Sequence, residues 1–254
     1  MNSNKPIDPT RKTSLVAGIL YLVTFISSIP AVMLLAPVLN NPNYIISAGA
    51  DFQVICGISL DLVNALAAIG TAVALFWVVK RQNESFALGF VATRLVEGTT
   101  VIIGVVCILA VVTLRQTIGV GTDSAALVAV GQGLVAVRGW TFTIGPSLMP
   151  ALNALLLGTL LYRSRLVPRL IPAAGLIGFP LQLSVAILTI FGINITIFSL
   201  IALVPIFFWE LAVGLWMAIK GFNQNAPLMV KLRREKENES KNQELEVKNQ
   251  RPEQ

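Results

Sequence analysis

Of 254 residues, 55% are hydrophobic and only 13% charged, and the mean hydropathy is +0.75. Soluble domains carry about 25% charged residues, so this composition excludes a soluble globular protein and points to a chain solvated by lipid. The formal net charge of +6 would suit a nucleic-acid binder, but the basic residues sit in short clusters at the ends of apolar runs, where they set membrane topology. The lipid bilayer is the expected partner, and nucleic acid is not.

The expected fold class is all-α, a polytopic transmembrane helix bundle of six spans. Residues 1–13 form a polar cytoplasmic N-terminus with Lys5, Arg11 and Lys12, and 14–39 is the first span. Its apolar stretch is too long for the core of a signal peptide, so it is expected to be retained. Pro30 and Pro37 are expected to bend or end it. After a loop at 40–50, Asp51 is placed to accept hydrogen bonds from the first amides of the next helix. The second span, 52–79, closes on Lys80-Arg81. The short turn Gln82-Asn83-Glu84 leads directly into the third, 86–114, so these two form an antiparallel hairpin ending at Arg115.

Residues 116–139 are read as surface-bound. Thr122-Asp123-Ser124 looks like a helix start, and Leu127, Val128, Leu134 and Val135 suit a helix lying at the membrane interface. A seventh, short span at 122–138 is the alternative. The fourth, fifth and sixth spans are 140–162, 168–193 and 195–220, with Pro146, Pro150, Pro172, Pro180 and Pro205 read as kinks. The tail, 221–254, holds seven Lys or Arg and six Glu between Lys231 and Gln254. So charged a stretch buries no core and is expected to be disordered or a frayed helix in the cytoplasm.

Charge sets the orientation. Lys5, Arg11, Lys12, Lys80, Arg81, Arg163, Arg165, Arg169 and Lys220 fall on one side, and only Arg115 and Arg138 on the other. Nine against two puts both termini in the cytoplasm.

The third span carries Arg94 and Glu97 near its middle, where ionisable groups are costly and functional by default. Counting inward from the expected cytoplasmic ends at Glu84, Lys220, Arg163 and Arg169, Arg94, Glu210 and Asn153 each lie ten residues deep and Gln182 thirteen, so all four sit about 15–20 Å in. Glu97 is one turn beyond Arg94 on the same face. Asp61 and Asn64, also one turn apart, fall level with Glu97 and Thr100 or slightly deeper. The expectation is a buried polar layer of Arg94, Glu97, Asp61, Asn64, Glu210, Asn153 and Gln182. Three carboxylates there face one guanidinium, so at least one acid is expected to hold a proton.

Several chemistries fall away. The chain has no His and two Cys, which removes histidine triads, histidine metal sites and a Cys-built zinc site. Gly145-Pro146-Ser147 lacks the context of a serine nucleophile, and Gly119-Val120-Gly121 follows no strand and is no phosphate loop. No catalytic residue, metal or cofactor is expected, and an enzyme is the less favoured reading. Cys56 and Cys107, at matching depth near the outer ends of the hairpin, read as small apolar residues rather than a disulfide.

A further set of residues carries a family resemblance. Arg11-Lys12 followed by Ala17-Gly18, Tyr21 and Thr24, then Gly49-Ala50-Asp51, Lys80-Arg81-Gln82-Asn83-Glu84, Arg94 with Glu97, the run Leu161 to Pro168, and Trp209-Glu210 before Lys220-Gly221-Phe222 resemble the bacterial membrane proteins grouped as domain of unknown function 4386. The resemblance covers about Arg11 to Phe222. It implies a six- or seven-helix protein of the bacterial cytoplasmic membrane and supplies no activity. The leading expectation is small-solute or proton-linked transport or sensing through the polar layer. The alternative is a non-transporting scaffold or accessory subunit whose buried ion pairs are structural.

Overall fold

A computed structural model describes residues 9–47, 49–117, 123–193 and 196–249. Residues 1–8, the Gly119-Val120-Gly121 segment and 250–254 lie outside the described residues. The helices are α1 (Pro9–Asn40), α2 (Asp51–Val79), α3 (Glu84–Thr117), α4 (Ser124–Phe142), α5 (Met149–Ser164), α6 (Leu170–Ile190), α7 (Thr196–Ile219) and α8 (Pro227–Asn249). A short 3-10 turn at Tyr44–Ile46 precedes α2, and a π-helical turn at Thr143–Leu148 joins α4 to α5. Such apolar sequences form helices because hydrocarbon offers no partner for a free backbone N–H or C=O.

Among the described residues, six helices are long and apolar enough to cross a membrane. The fourth of them corrects the sequence reading. Ser124–Ser164 is one rod of 41 residues, about 60 Å long against a hydrocarbon core of about 30 Å. The segment read as a surface helix, with a seventh span as its alternative, is therefore the outer extension of the fourth span. Asp123 caps it by accepting from Ala125 N, and the π turn carries the helix past Pro146 instead of ending it there. Likewise α1 continues through Pro30 and Pro37 to Asn40, since loss of one N–H in a long lipid-solvated helix is absorbed by its neighbours.

The packing closes a ring: α1 on α2, α2 on α3, α3 on α5, α5 on α6, α6 on α7, and α7 back on α1. The last contact needs small residues. A Cβ on Gly18 would lie 2.3 Å from Ala218 N, and one on Gly214 would lie 2.9 Å from Tyr21 Cβ, so the two backbones meet at a distance only glycine allows.

Two apolar cores fill the bundle. One, toward the basic face, joins Tyr21, Leu75, Phe90, Leu157, Leu161, Trp209 and Met217. The other, toward the opposite face, joins Leu35, Val38, Tyr44, Val54, Ile108 and Val112. Leu127, Val128, Leu134 and Val135 of α4 pack on this second core, which is why α4 runs alongside α3 rather than lying apart from the bundle. The buried charged side chains Asp61, Arg94, Glu97 and Arg138 lie in the belt between the cores.

At the basic face, Arg11 donates to the carbonyls of Met217, Ala218 and Ile219 at 2.9, 2.8 and 3.1 Å, satisfying groups orphaned at the end of α7. The tail expected to be solvated begins differently. Leu228 and Met229 of α8 are buried in the first core, Lys231 pairs with Glu235, and Glu235 reaches Arg81. Glu and Lys are good helix formers, and pairs four residues apart add to the helix.

Candidate functional site

Arg94 sits at the centre of the ring, on the α3 face turned inward, and is 2% exposed. Its Nη1 donates to both oxygens of Glu97 at 3.2 and 3.1 Å, and its Nη2 donates to Glu210 Oε1 at 2.7 Å. Asn153 Nδ2 donates to Glu97 Oε2 at 2.8 Å, and the Thr93 hydroxyl donates to Asn153 Oδ1. Tyr21 lies across the guanidinium, with 5.0 Å between ring centroid and Cζ. The cluster thus draws on α1, α3, α5 and α7. It holds two carboxylates against one cation.

Asp61 is not part of it. The Asp61 carboxylate accepts from Arg138 Nη2 at 2.7 Å, and both side chains are buried. Sequence reading placed Arg138 in an outer loop and Asp61 in the Arg94 layer. Because α4 is the extended start of the fourth span, Arg138 instead enters the bundle beside Gly104, where a Cβ would come within 2.4 Å of Arg138 Cδ. Gly104 is ten residues beyond Arg94, so the two ion-pair sites stand about 15 Å apart along the bundle.

Gln182 and Asn64 are also separate. Gln182 Nε2 donates to Ser147 O and Ser147 Oγ, both at 3.2 Å, which ties α6 to the π turn rather than to Arg94. Asn64 is half-buried on α2 and makes no hydrogen bond to the Arg94 cluster. Of the seven residues expected in one layer, the structure brings four together: Arg94, Glu97, Glu210 and Asn153. The π turn itself presses on the cluster's helix, since a Cβ on Gly145 would lie 2.0 Å from Thr100 Oγ1. Several atoms here have no hydrogen-bond partner among the described residues: Arg94 Nε, Tyr21 Oη, Arg138 Nε and Gln182 Oε1.

A third polar cluster closes the outer end. Asp51 is not the cap of α2, a position held by Ala50. Its carboxylate instead accepts from Tyr44 Oη at 2.7 Å, from Gln116 Nε2 at 3.0 Å and from Arg115 Nη1. Arg115 Nε also reaches Ser47 O at 2.8 Å. Burial, and then the bond to the Asp51 carboxylate, raise the Tyr44 hydroxyl pKa above its ordinary value. Cys56 and Cys107 are both free and partly buried.

The sequence matches the family described as Domain of unknown function (DUF4386) over residues 16–221. The chain belongs to the DUF4386 family. No curated protein and no solved structure matches it. The match takes in five of the long helices of this DUF4386 member whole and α1 from residue 16, so the ring and its polar belt belong to the family domain, and α8 follows it.

Sequence reasoning missed Tyr21, Thr93, Ser147 and Arg138 as members of the polar belt. For Arg138 a signal existed. It is the only charged residue between Asp123 and Arg163, and reading those residues as one helix puts it inside the bundle.

Proposed function

We propose that this DUF4386 protein carries or senses protons, alone or with a small polar solute, at the Arg94–Glu97–Glu210 cluster, in the cytoplasmic membrane of a bacterium. The observation that supports this is the charge count: one guanidinium lies between two carboxylates, with no second cation bonded to either among the described residues. An uncompensated charge inside a bundle costs about 3–5 kcal/mol, so the second acid is best neutralised by a proton or by a cationic group of a solute. Arg94 stays charged throughout and supplies the fixed countercharge. Glu97 is held by Asn153, whereas among the described residues Glu210 is bonded to Arg94 alone and has a side chain 15% exposed, which makes Glu210 the more open of the two. The π turn beside Thr100 and the prolines inside α6 and α7 give the surrounding helices places to bend.

The test is proton flux into proteoliposomes loaded with a pH-sensitive dye, under an imposed potential and with polar solutes added in turn. Flux that Glu97→Gln or Glu210→Gln abolishes, with the protein still folded, supports the proposal. Flux equal in wild type, variants and empty liposomes opposes it.

A structural reading is favoured by one observation, the direct contact of every charged group in the belt with a partner. Water access separates the two. Cysteines placed at Asn64, Asn153 or Gln182 in a Cys-free background react with small polar thiol reagents if the belt is hydrated. Resistance from both sides favours a scaffold or accessory subunit.

A further inference from the structure

The turn between α5 and α6 has a construction that the central cluster does not use. Arg165 ends α5 in the left-handed conformation, φ 56°, where glycine or asparagine would sit at lower cost. Around it the chain alternates between inside and outside. Ser164, Leu166 and Val167 are buried, while Tyr162, Arg163, Arg165 and Arg169 are exposed. Leu166 O accepts from Asn223 N at 2.9 Å, and Leu166 and Val167 pack with Phe222 and Ala226 in the inner core. The backbone of the turn is thereby fixed, and three guanidiniums are held outward from it.

None of the three forms an ion pair among the described residues, whereas Arg81 on the neighbouring turn is paired with Glu235 at 3.5 Å. The Arg169 guanidinium carbon lies 5.1 Å from the Tyr162 ring, and the next residue, Leu170, is 85% exposed. Cations, an aromatic ring and an exposed leucine at the ends of two spans match the layering of headgroup, interface and acyl chain.

We infer that this turn is a binding site for the phosphate of an anionic phospholipid. Arg163, Arg165 and Arg169 engage the headgroup, and Tyr162 and Leu170 lie against the upper acyl chain. Guanidinium forks pair with phosphate oxygens through two N–H groups at once, which a diffuse charge does not require. Setting topology needs only the charge of these residues. It does not need a left-handed arginine on an anchored turn.

The experiment uses the full chain, exchanged from detergent into equimolar phosphatidylglycerol and phosphatidylcholine, with retained lipids counted by native mass spectrometry. Wild type is expected to retain phosphatidylglycerol preferentially. The variant Arg163→Gln/Arg165→Asn/Arg169→Gln, in which asparagine keeps the left-handed position accessible, is expected to lose that preference by about fivefold or more. Arg169→Gln alone, which leaves the anchored turn untouched, is expected to lose part of it and serves if the triple variant does not fold. Arg233→Gln/Arg234→Gln on α8 is expected to leave it unchanged. The inference is overturned if the turn variants keep the wild-type preference, if the α8 variant loses as much, or if inorganic phosphate displaces the bound lipid and so marks a site for free anion.

Discussion

Replacing Arg94 by Leu removes the only cation bonded to Glu97 and Glu210 among the described residues and strands two acids inside the bundle. The expected loss is about 3–5 kcal/mol. Glu97→Gln leaves the Arg94–Glu210 pair and an oxygen for Asn153, and should cost about 1 kcal/mol. Thermal unfolding in detergent measures both, and equal, mild effects would contradict the arrangement. Tyr44 offers a pH test at the outer end. Its hydroxyl pKa is raised in the folded protein, so the fold holds that proton more tightly than the unfolded chain, whose phenol titrates near about 10. The stability that Tyr44 contributes is complete below that pH and is lost as pH climbs above it. The advantage of wild type over Tyr44→Phe in unfolding midpoint should therefore shrink above that value and hold steady below it. Arg94 with Glu97 was legible in the sequence because residues three apart share a helix face, and Glu210 because depth can be counted from Lys220. Tyr44 with Asp51 and Arg115 was not, because a loop conformation fixes that meeting and no periodicity describes it.

Helix contacts at glycine make sharper tests than the prolines. Gly18→Ala drives a methyl into the backbone of Ala218, which cannot move aside without shifting α7, and a loss of about 1–3 kcal/mol is expected. A Cβ on Gly139 of α4 meets nothing within 4 Å, so Gly139→Ala should stay neutral or gain up to about 1 kcal/mol. Gly145→Ala clashes with the Thr100 hydroxyl, and combining it with Thr100→Ala should recover part of the lost midpoint. If Gly145→Ala is harmless by itself, the π turn does not press on α3 as described. That turn was invisible in the sequence. Pro146 and Pro150 read as kinks within a span, and nothing in the residues marks the π-helical register at Thr143–Leu148 that carries α4 into α5. The modest length of 116–139 read as a surface helix, which divided the rod at 139–140 and put Arg138 outside.

For the whole molecule, moving Arg138 into the bundle leaves Arg115 against eight basic residues at the other end among those described, Arg11, Lys12, Lys80, Arg81, Arg163, Arg165, Arg169 and Lys220, a sharper charge asymmetry than the sequence count gave. The six spans were legible because apolar runs of about 20 residues have few alternatives in lipid. The closed ring was not, since small residues such as Gly18 and Gly214 mark contact without naming the partner. Among the described side chains, the contacts that tie α8 to this ring lie in its first turns. Removing residues 237–254 should change stability by less than about 0.5 kcal/mol. Removing 223–254 also takes Leu228 and Met229 out of the inner core, at about 1.5–3 kcal/mol for each buried side chain. Unfolding of the two truncated chains in detergent distinguishes them.

The measurement that bears most directly on the account is infrared spectroscopy of the reconstituted protein at neutral pH, in H2O and in D2O. If two buried carboxylates share Arg94 and one proton that exchanges with water, a protonated-carboxyl band should be present, shift in D2O, and vanish in Glu97→Gln or Glu210→Gln. A spectrum without such a band, or with one that neither substitution alters or that D2O never shifts, would contradict a working proton site and leave the cluster as a structural clasp.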